Sequence, residues 1–164
     1  MSASEPAADA IPEGAIVVGV DGSETADRAL AWAASHAALE DRPLVIAYSL
    51  PLIGTPEAAG LTFDAGGGFA IVYEHLLDSG QALVAEATEK VAKANPSVKV
   101  TTVVEHNDPR QLLLRLAETA SLVVMGSRGR GPFRSLFLGS VTSGVAGRAR
   151  CPVVVIPARD DGEE

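Results

Sequence analysis

One stretch of the chain, MGSRGRGPFRSLFLGS from Met125 to Ser140, combines glycine and arginine and contains no acidic residue. Two residues separate Gly126 from Gly129, and nine more separate Gly129 from Gly139, which Ser140 follows directly. Glycine lets a backbone adopt positive φ and approach an anion without a Cβ in the way. An apolar run precedes the stretch and a helical pattern follows it, an order that presents backbone N–H groups to a phosphate. The spacing therefore predicts an anion-binding loop.

Arginines are concentrated around this loop in a chain whose formal net charge is −8. No acid occurs from Thr119 to Arg159, whereas six arginines do: Arg128, Arg130, Arg134, Arg148, Arg150 and Arg159. Such a run can be a solvated basic face or a means of attracting phosphate, and the sequence leaves both open. Arg128 is the favoured phosphate contact because it lies inside the glycine turn.

Other chemistries fit these residues poorly. The loop has no Walker lysine, and no turn matches the dinucleotide fingerprint G-x-G-x-x-G. His36, His75 and His106 share no metal-binding spacing with each other or with Cys151, so no metal site is expected. Ser140 lies in LGSVT rather than in G-x-S-x-G, so we expect a helix cap that also bonds a phosphate, not a nucleophile.

The surrounding elements alternate between apolar runs and helical periodicity. Buried strands are predicted over 15–20, 43–50, 98–105, 121–126 and 151–157. Helices are predicted over about 23–40, 70–93, 109–120 and 140–148, with Ser23 or Glu24 beginning the first and Asp108 capping the third. Trp32 is expected to pack within the first helix. Right-handed crossovers make this a doubly wound, Rossmann-like α/β sandwich with helices on both faces of a five-stranded parallel sheet.

Length and composition limit the remaining possibilities. The 164 residues fit one domain over 15–158, flanked by disordered tails at 1–14 and 159–164. The acidic net charge argues against general affinity for nucleic acid or for an anionic membrane. A single cysteine, the lack of a secretory signal and the lack of an apolar span lead us to expect a cytoplasmic protein.

Three features together resemble the universal stress protein family: the G-x2-G-x9-G-S spacing, the opening VVGVDGSETADRALAWA and the ending CPVVVIP. The resemblance runs from about Ile16 to Pro157. It implies the strand order 3-2-1-4-5, whose topological switch lies between the first and fourth strands, where open α/β sheets bind ligands. It also implies that Val153 to Ile156 is an edge strand through which two chains form a homodimer.

The resemblance further implies a nucleotide site of the ATP-binding branch. Four residues are assigned to the phosphates and ribose, namely Gly126, Gly129, Gly139 and Ser140. The other assigned positions are Asp21 and Gly22 after the first strand, Met125 and Arg128 around the loop, Val141 and Thr142 after it, and the main chain near Tyr48 and Ser49 for adenine. The expected ligand is ATP, with or without Mg²⁺.

The function implied is that of an adenine-nucleotide-binding stress-response regulator or sensor rather than a fast catalyst. A cyclic-nucleotide binder, with cAMP as ligand, is one alternative, because one phosphate needs fewer loop contacts than three. A slow ATPase or phosphotransferase is another, although the loop offers no evident base. An interaction module with a vestigial pocket fits the complete glycine motif less well.

Overall fold

The computed structural model describes residues 11–51, 68–128 and 138–159. The strands are β1 (Ile16–Gly19), β2 (Leu44–Ser49), β3 (Val100–Glu105), β4 (Leu122–Gly126) and β5 (Val153–Ile156). The helices are α1 (Glu24–Glu40), α2 (Gly68–Ala94), α3 (Pro109–Leu116) and α4 (Ser140–Ala146). Gly129, Arg130 and Arg134 of the predicted loop lie outside the described residues.

The sheet has the expected architecture. Its five strands are parallel and follow the order β3-β2-β1-β4-β5. At its centre Val18 of β1 stands between Ile46 of β2 and Val124 of β4. Short β-branched runs form these strands because both faces of a parallel sheet are covered by helices. The predicted fold class and strand order are confirmed.

Two apolar clusters lie on opposite faces of the sheet. Ile16 and Val18 point toward α1 and α2, where Leu30 and Val91 meet them. Val17 lies in the other cluster, with α3 and α4. Successive residues of a strand face opposite ways, so β1 contributes to both layers of the core.

Local signals set the starts of two helices, as the sequence predicted. The Ser23 hydroxyl accepts a hydrogen bond from the Ala26 N–H at 3.2 Å and caps α1. The Asp108 carboxylate accepts one from the Arg110 N–H at 2.8 Å and caps α3, with Pro109 in its first turn. The predicted core face of α1 is buried at all its positions: Ala26, Leu30, Ala33, Ala34 and Ala37.

The last helix and the tryptophan differ from expectation. Helix α4 ends at Ala146, before the predicted Arg148, and Gly147 follows as its C-cap with φ of −80° and ψ of −11°. The Trp32 side chain, which was expected to be packed, is 38% exposed. Its ring stacks on that of His36, 4.7 Å away and one helical turn further along α1.

Residues 11–14, assigned to the first tail by the sequence, are in contact with the domain. Ile11 packs against the apolar cluster of α3 and α4. The Gly14 N–H donates to the Thr119 carbonyl at 2.8 Å, and Gly14 has φ of +71°. The other positions of the two predicted tails, 1–10 and 160–164, lie outside the described residues, while Arg159 is described.

Helix α2 is the longest element, with 27 residues. Ion pairs along it link Lys90 to Glu86 and Lys93 to Glu89, and Lys90 also contacts Asp27 of α1. Over the ranges that the structure describes, neither this helix nor any other has the length and apolar character needed to cross a membrane.

Candidate functional site

A cleft of about 930 Å³ opens at the carboxyl ends of the central strands. The ends of β1, β2 and β4 form its floor, and the first turns of α1, α3 and α4 form its walls. Its position is the topological switch point, where the chain leaves β1 and β4 toward opposite faces of the sheet. Its volume falls within the roughly 300–1,000 Å³ typical of small-molecule sites.

The turn after β1 brings a carboxylate to the cleft. Asp21 lines the cleft, and its Oδ1 accepts a hydrogen bond from the Ser23 N–H at 2.9 Å. Gly22 between them has φ of +79°, a conformation that glycine adopts without strain. Gly22 does not line the cleft but a separate groove of about 410 Å³ between α1 and α2. The turn therefore contributes Asp21 to the site and leaves Gly22 outside it.

Gly126, the last residue of β4, lies against the first turn of α1. A Cβ at Gly126 would stand 2.7 Å from Thr25 Cγ2 and 3.2 Å from the Thr25 carbonyl carbon. A separation of 2.7 Å essentially never occurs between packed carbon atoms and 3.2 Å is tight, so close approach of strand and helix favours glycine here. Met125 precedes it as a buried floor residue of the cleft.

Ser127, which sequence spacing did not single out, joins three segments around the cleft. Its N–H donates to the Ile156 carbonyl at 2.8 Å, and its carbonyl accepts from the Gly139 N–H at 2.7 Å. Its hydroxyl accepts from the Ala158 N–H at 3.1 Å. The exit of β4, the end of β5 and the start of α4 are thus held together by one residue that is only 6% exposed.

The start of α4 forms the wall next to β4. Gly139, not Ser140, is the N-cap, and Ser140 is the exposed first residue of the helix. The expected serine cap is therefore wrong, because extended backbone geometry falls on the glycine, one residue earlier. The buried Thr142 hydroxyl donates to the Gly126 carbonyl at 2.8 Å. Gly139, Ser140, Val141 and Thr142 all line the cleft.

Apolar side chains form the opposite wall. Ala47 of β2 and two α3 residues, Leu112 and Leu113, line the cleft, and Tyr48 is half-buried beside them. Sequence reasoning did not assign the leucines to the site. The signal was present, because Asp108 and Pro109 mark the start of α3 at the same edge of the sheet.

Ser49 at the end of β2 supports this wall through its side chain. Its hydroxyl donates a hydrogen bond to the Asn107 carbonyl, in the loop that leads to α3. The next residue, Asp108, is bound through both carboxylate oxygens by the Arg110 guanidinium, at 3.1 and 2.7 Å. These side-chain hydrogen bonds and the Arg110 N–H lower the pKa of Asp108 to about 2. Ser49 was expected to serve only through its main chain, so the hydroxyl contact is an addition.

Charge is unevenly distributed around the cleft. Arg128 and Arg159 both line it, on the side where β4, β5 and α4 meet. Asp21 is the only carboxylate residue among its described lining residues. In residues 11–51, 68–128 and 138–159, no three His, Cys, Asp or Glu side chains gather in a way that could hold a metal ion. Cys151 lies outside the cleft, and burial raises the pKa of its thiol.

The structure gathers most of the predicted site residues in this one cleft. Those that line it are Asp21, Ser49, Met125, Gly126, Arg128, Gly139, Ser140, Val141 and Thr142. Gly22 does not, and Gly129 lies outside the described residues. Thr25, Ala158 and Arg159 line the cleft and were not assigned to it.

Known proteins resemble the chain in both sequence and fold. A family model described as the universal stress protein family matches residues 14–157. A universal stress protein of Mycobacterium tuberculosis is 33% identical over 156 residues, covering 88% of this chain and 48% of that protein. The chain thus spans about half the length of the curated relatives that it matches.

Two solved structures show the likeness in three dimensions. The universal stress protein UspA from Lactobacillus plantarum has a TM-score of 0.70 at 23% identity, with 88% of this chain and 99% of that chain covered. A universal stress protein solved in complex with cAMP has a TM-score of 0.61 at 26% identity, with 88% and 97% covered. The family model extends over nearly the whole domain and the strand order agrees, so the chain belongs to the universal stress protein family.

Proposed function

We propose that this chain binds an adenine nucleotide, ATP, in the cleft between β1 and β4 and acts as a nucleotide-dependent regulator or sensor in a stress response. One observation carries the proposal: a single cleft at the switch point has an apolar wall on one side and two arginines on the other. A nucleotide has the matching division into an apolar base and anionic phosphates. The binding unit is the domain over 15–158.

The apolar side suits a purine base. Ala47, Leu112 and Leu113 offer flat apolar contact, and the main chain at Tyr48 and Ser49 offers polar groups at the edge of the sheet. Apolar lining with a few positioned polar groups is the usual composition of a cofactor site. Asp21, in the turn after β1, is proposed to accept hydrogen bonds from the ribose hydroxyls.

The other side suits phosphates. The guanidinium of Arg128 can bind a phosphate through two parallel hydrogen bonds, which are stronger than neutral ones. Gly126 and Gly139 line this side. Because Gly139 has no side chain, an anion can approach the start of α4, whereas the missing side chain of Gly126 makes room for Thr25. Gly129 completes the spacing in the sequence and is proposed as a further phosphate contact.

cAMP remains the second candidate ligand. A universal stress protein of the same fold, 26% identical to this chain, was solved in complex with cAMP. That complex supports an adenine nucleotide as the ligand class. The two arginines in the cleft favour ATP, since a cyclic monophosphate carries a single negative charge.

We propose that hydrolysis is slow or negligible. A fast phosphotransferase needs a group that orients the nucleophile and usually carboxylates that hold Mg²⁺. Asp21 is the only carboxylate residue among the described lining residues, and one of its oxygens accepts the Ser23 N–H. Asp21 could supply one ligand to a Mg²⁺ that arrives with the phosphates, which fits binding better than catalysis.

We also propose a homodimer through β5. The strand is at the edge of the sheet, and all four residues from Val153 to Ile156 are half-buried. Antiparallel pairing of two such edges would satisfy their backbone groups and bury the valines. The curated relatives are about twice as long, which leaves room for two units of this size in one chain. We propose a cytoplasmic location as well, which is consistent with the single free cysteine.

The most direct test identifies the ligand without assuming it. Protein purified from cells without added nucleotide is denatured, and the released small molecules are examined by mass spectrometry. ATP or ADP in the released fraction supports the proposal. Cyclic AMP in the released fraction would make cAMP the ligand in place of ATP. A non-nucleotide ligand at full occupancy would overturn the proposal.

A further inference from the structure

The segment that follows β5 is fixed against the cleft from two directions. The Arg28 guanidinium of α1 donates to the Pro157 carbonyl at 2.6 Å. The Ala158 N–H donates to the Ser127 hydroxyl at 3.1 Å. The next residue, Arg159, lines the cleft. Two hydrogen bonds at the preceding residues therefore fix the backbone from which the Arg159 side chain extends.

Ser127 also determines what lies beside Arg159. The same residue binds Gly139 through its carbonyl, and its chain neighbour is Arg128. Arg128, Gly139 and Arg159 therefore meet at one end of the cleft, around a buried serine. The apolar wall of Leu112 and Leu113 belongs to α3, which contacts β1 and β2 and also packs beside α4.

Two guanidinium groups on separate segments can serve two phosphates of one nucleotide. One arginine can bind two oxygens of one phosphate, and a second, on a separate segment, can reach another phosphate of the same chain. We propose that Arg159, positioned by Ser127, binds the phosphates beyond the first and so gives the cleft a preference for ATP and ADP over AMP and cAMP. This inference rests on the proposed nucleotide function.

The affinity ratio of ATP to AMP measures the role of Arg159. Isothermal titration of Arg159→Gln is expected to show about tenfold weaker ATP binding, as for loss of a charged hydrogen bond. AMP binding should change by less than about twofold, because its phosphate stays with Arg128. Arg148→Gln is the matched control, since Arg148 is an exposed arginine that does not line the cleft. The control should keep the wild-type ratio.

The positioning role of Ser127 requires a separate variant. Ser127→Ala removes the hydroxyl that accepts the Ala158 N–H and keeps both backbone hydrogen bonds of the residue. It should lower the ATP-to-AMP ratio as Arg159→Gln does, and the double variant should add little to either change. Unchanged AMP affinity shows that Ser127→Ala has folded. Additive losses in the double variant would overturn the positioning role.

A variant of the next residue in the sequence distinguishes a long-range effect of charge from direct contact with the nucleotide. Asp160→Asn changes the net charge by one unit in the opposite direction, so a purely long-range effect would raise ATP affinity as much as Arg159→Gln lowers it. Direct contact predicts a much larger effect at Arg159 that persists from about 0.1 M to about 0.5 M salt. Equal and opposite effects at the two positions would overturn the inference.

The failures of the two proposals are distinguishable. If the wild-type protein binds AMP and ATP but Arg159→Gln weakens both equally or neither, Arg159 has no selective role and the nucleotide function stands. If the wild-type protein binds no adenine nucleotide, the proposed function fails and the inference fails with it.

Discussion

Gly126 and Thr25 are in such close contact that no other residue type fits at position 126 without movement. A Cβ at Gly126 would lie 2.7 Å from Thr25 Cγ2. The glycine that begins the predicted phosphate loop therefore has a packing role between β4 and α1. This packing lets the end of β4 serve as the cleft floor and the first turn of α1 as a wall.

Gly126→Ala should lower the free energy of unfolding by about 1–3 kcal/mol, the usual cost of overpacking. In a Thr25→Ser background, which removes Cγ2, the same change should cost less. Urea denaturation of the two single variants and the double variant measures the coupling. Gly147→Ala is the control, because its Cβ would meet the Ser143 carbonyl oxygen at an ordinary 3.6 Å. Equal costs in the wild-type and Thr25→Ser backgrounds would contradict the packing role.

Asp108 should make stability depend on pH in the acid range. Its pKa is lowered to about 2 by the Arg110 side chain and N–H, so the carboxylate stabilises the folded state above its unfolded pKa of about 4. This stabilisation is lost as the pH falls through about 2. Asp108→Asn keeps a capping oxygen and removes the charge. The stability difference between wild type and Asp108→Asn should shrink as the pH falls from about 5 to about 2, measured by urea denaturation; a constant difference would contradict this assignment.

The dimer should depend on β5 and not on the other edge of the sheet. Val154→Lys and Val155→Lys place a charge on opposite faces of the edge strand, and we expect at least one to give a monomer. Thr102→Lys is the control, since Thr102 is exposed on β3, the opposite edge strand. Sedimentation equilibrium at tens of micromolar compares all four proteins. A monomeric wild type refutes the dimer, and a dimer that only Thr102→Lys disrupts transfers the interface to β3.

ATP turnover should be far below the roughly 10 s⁻¹ that is typical of enzymes, because Asp21 is the only carboxylate residue in the described lining and one of its oxygens accepts the Ser23 N–H. Steady-state phosphate release with Mg²⁺ measures it. Asp21→Asn should weaken ATP binding, and its rate of phosphate release should be as low as that of the wild type. Turnover at the typical enzymatic rate, abolished in Asp21→Asn, would instead make this carboxylate a metal ligand in a true ATPase.

Features that depend on neighbouring residues could be predicted from the sequence. Short β-branched runs predicted all five strands, and Ser23 and Asp108 predicted two helix starts, since a cap acts within three residues of itself. The strand order came from the family resemblance. The arrangement of the site followed, because β1 and β4 are then neighbours.

Contacts between distant segments could not be predicted. The hydrogen bond from Ala158 to Ser127 spans 31 residues, and no spacing rule connects the two. Leu112 and Leu113 appear in the sequence as ordinary core residues of α3, and only the completed sheet places them on the cleft. Glycine and serine both occur often as N-caps, so the sequence does not tell whether Gly139 or Ser140 caps α4. The backbone angles of the folded chain decide for Gly139. Trp32 was misjudged because helical periodicity does not tell whether a large side chain meets the core or lies beside it.

Calorimetric titration of the purified protein with ATP, ADP, AMP and cAMP tests the central claim most directly. We expect saturable binding with one nucleotide per chain, strongest for ATP and ADP, in the cleft between β1 and β4. Binding of cAMP in preference to ATP would contradict the choice of ligand. The absence of binding by all four at millimolar concentration, in protein shown to be free of bound nucleotide, would contradict the nucleotide function itself.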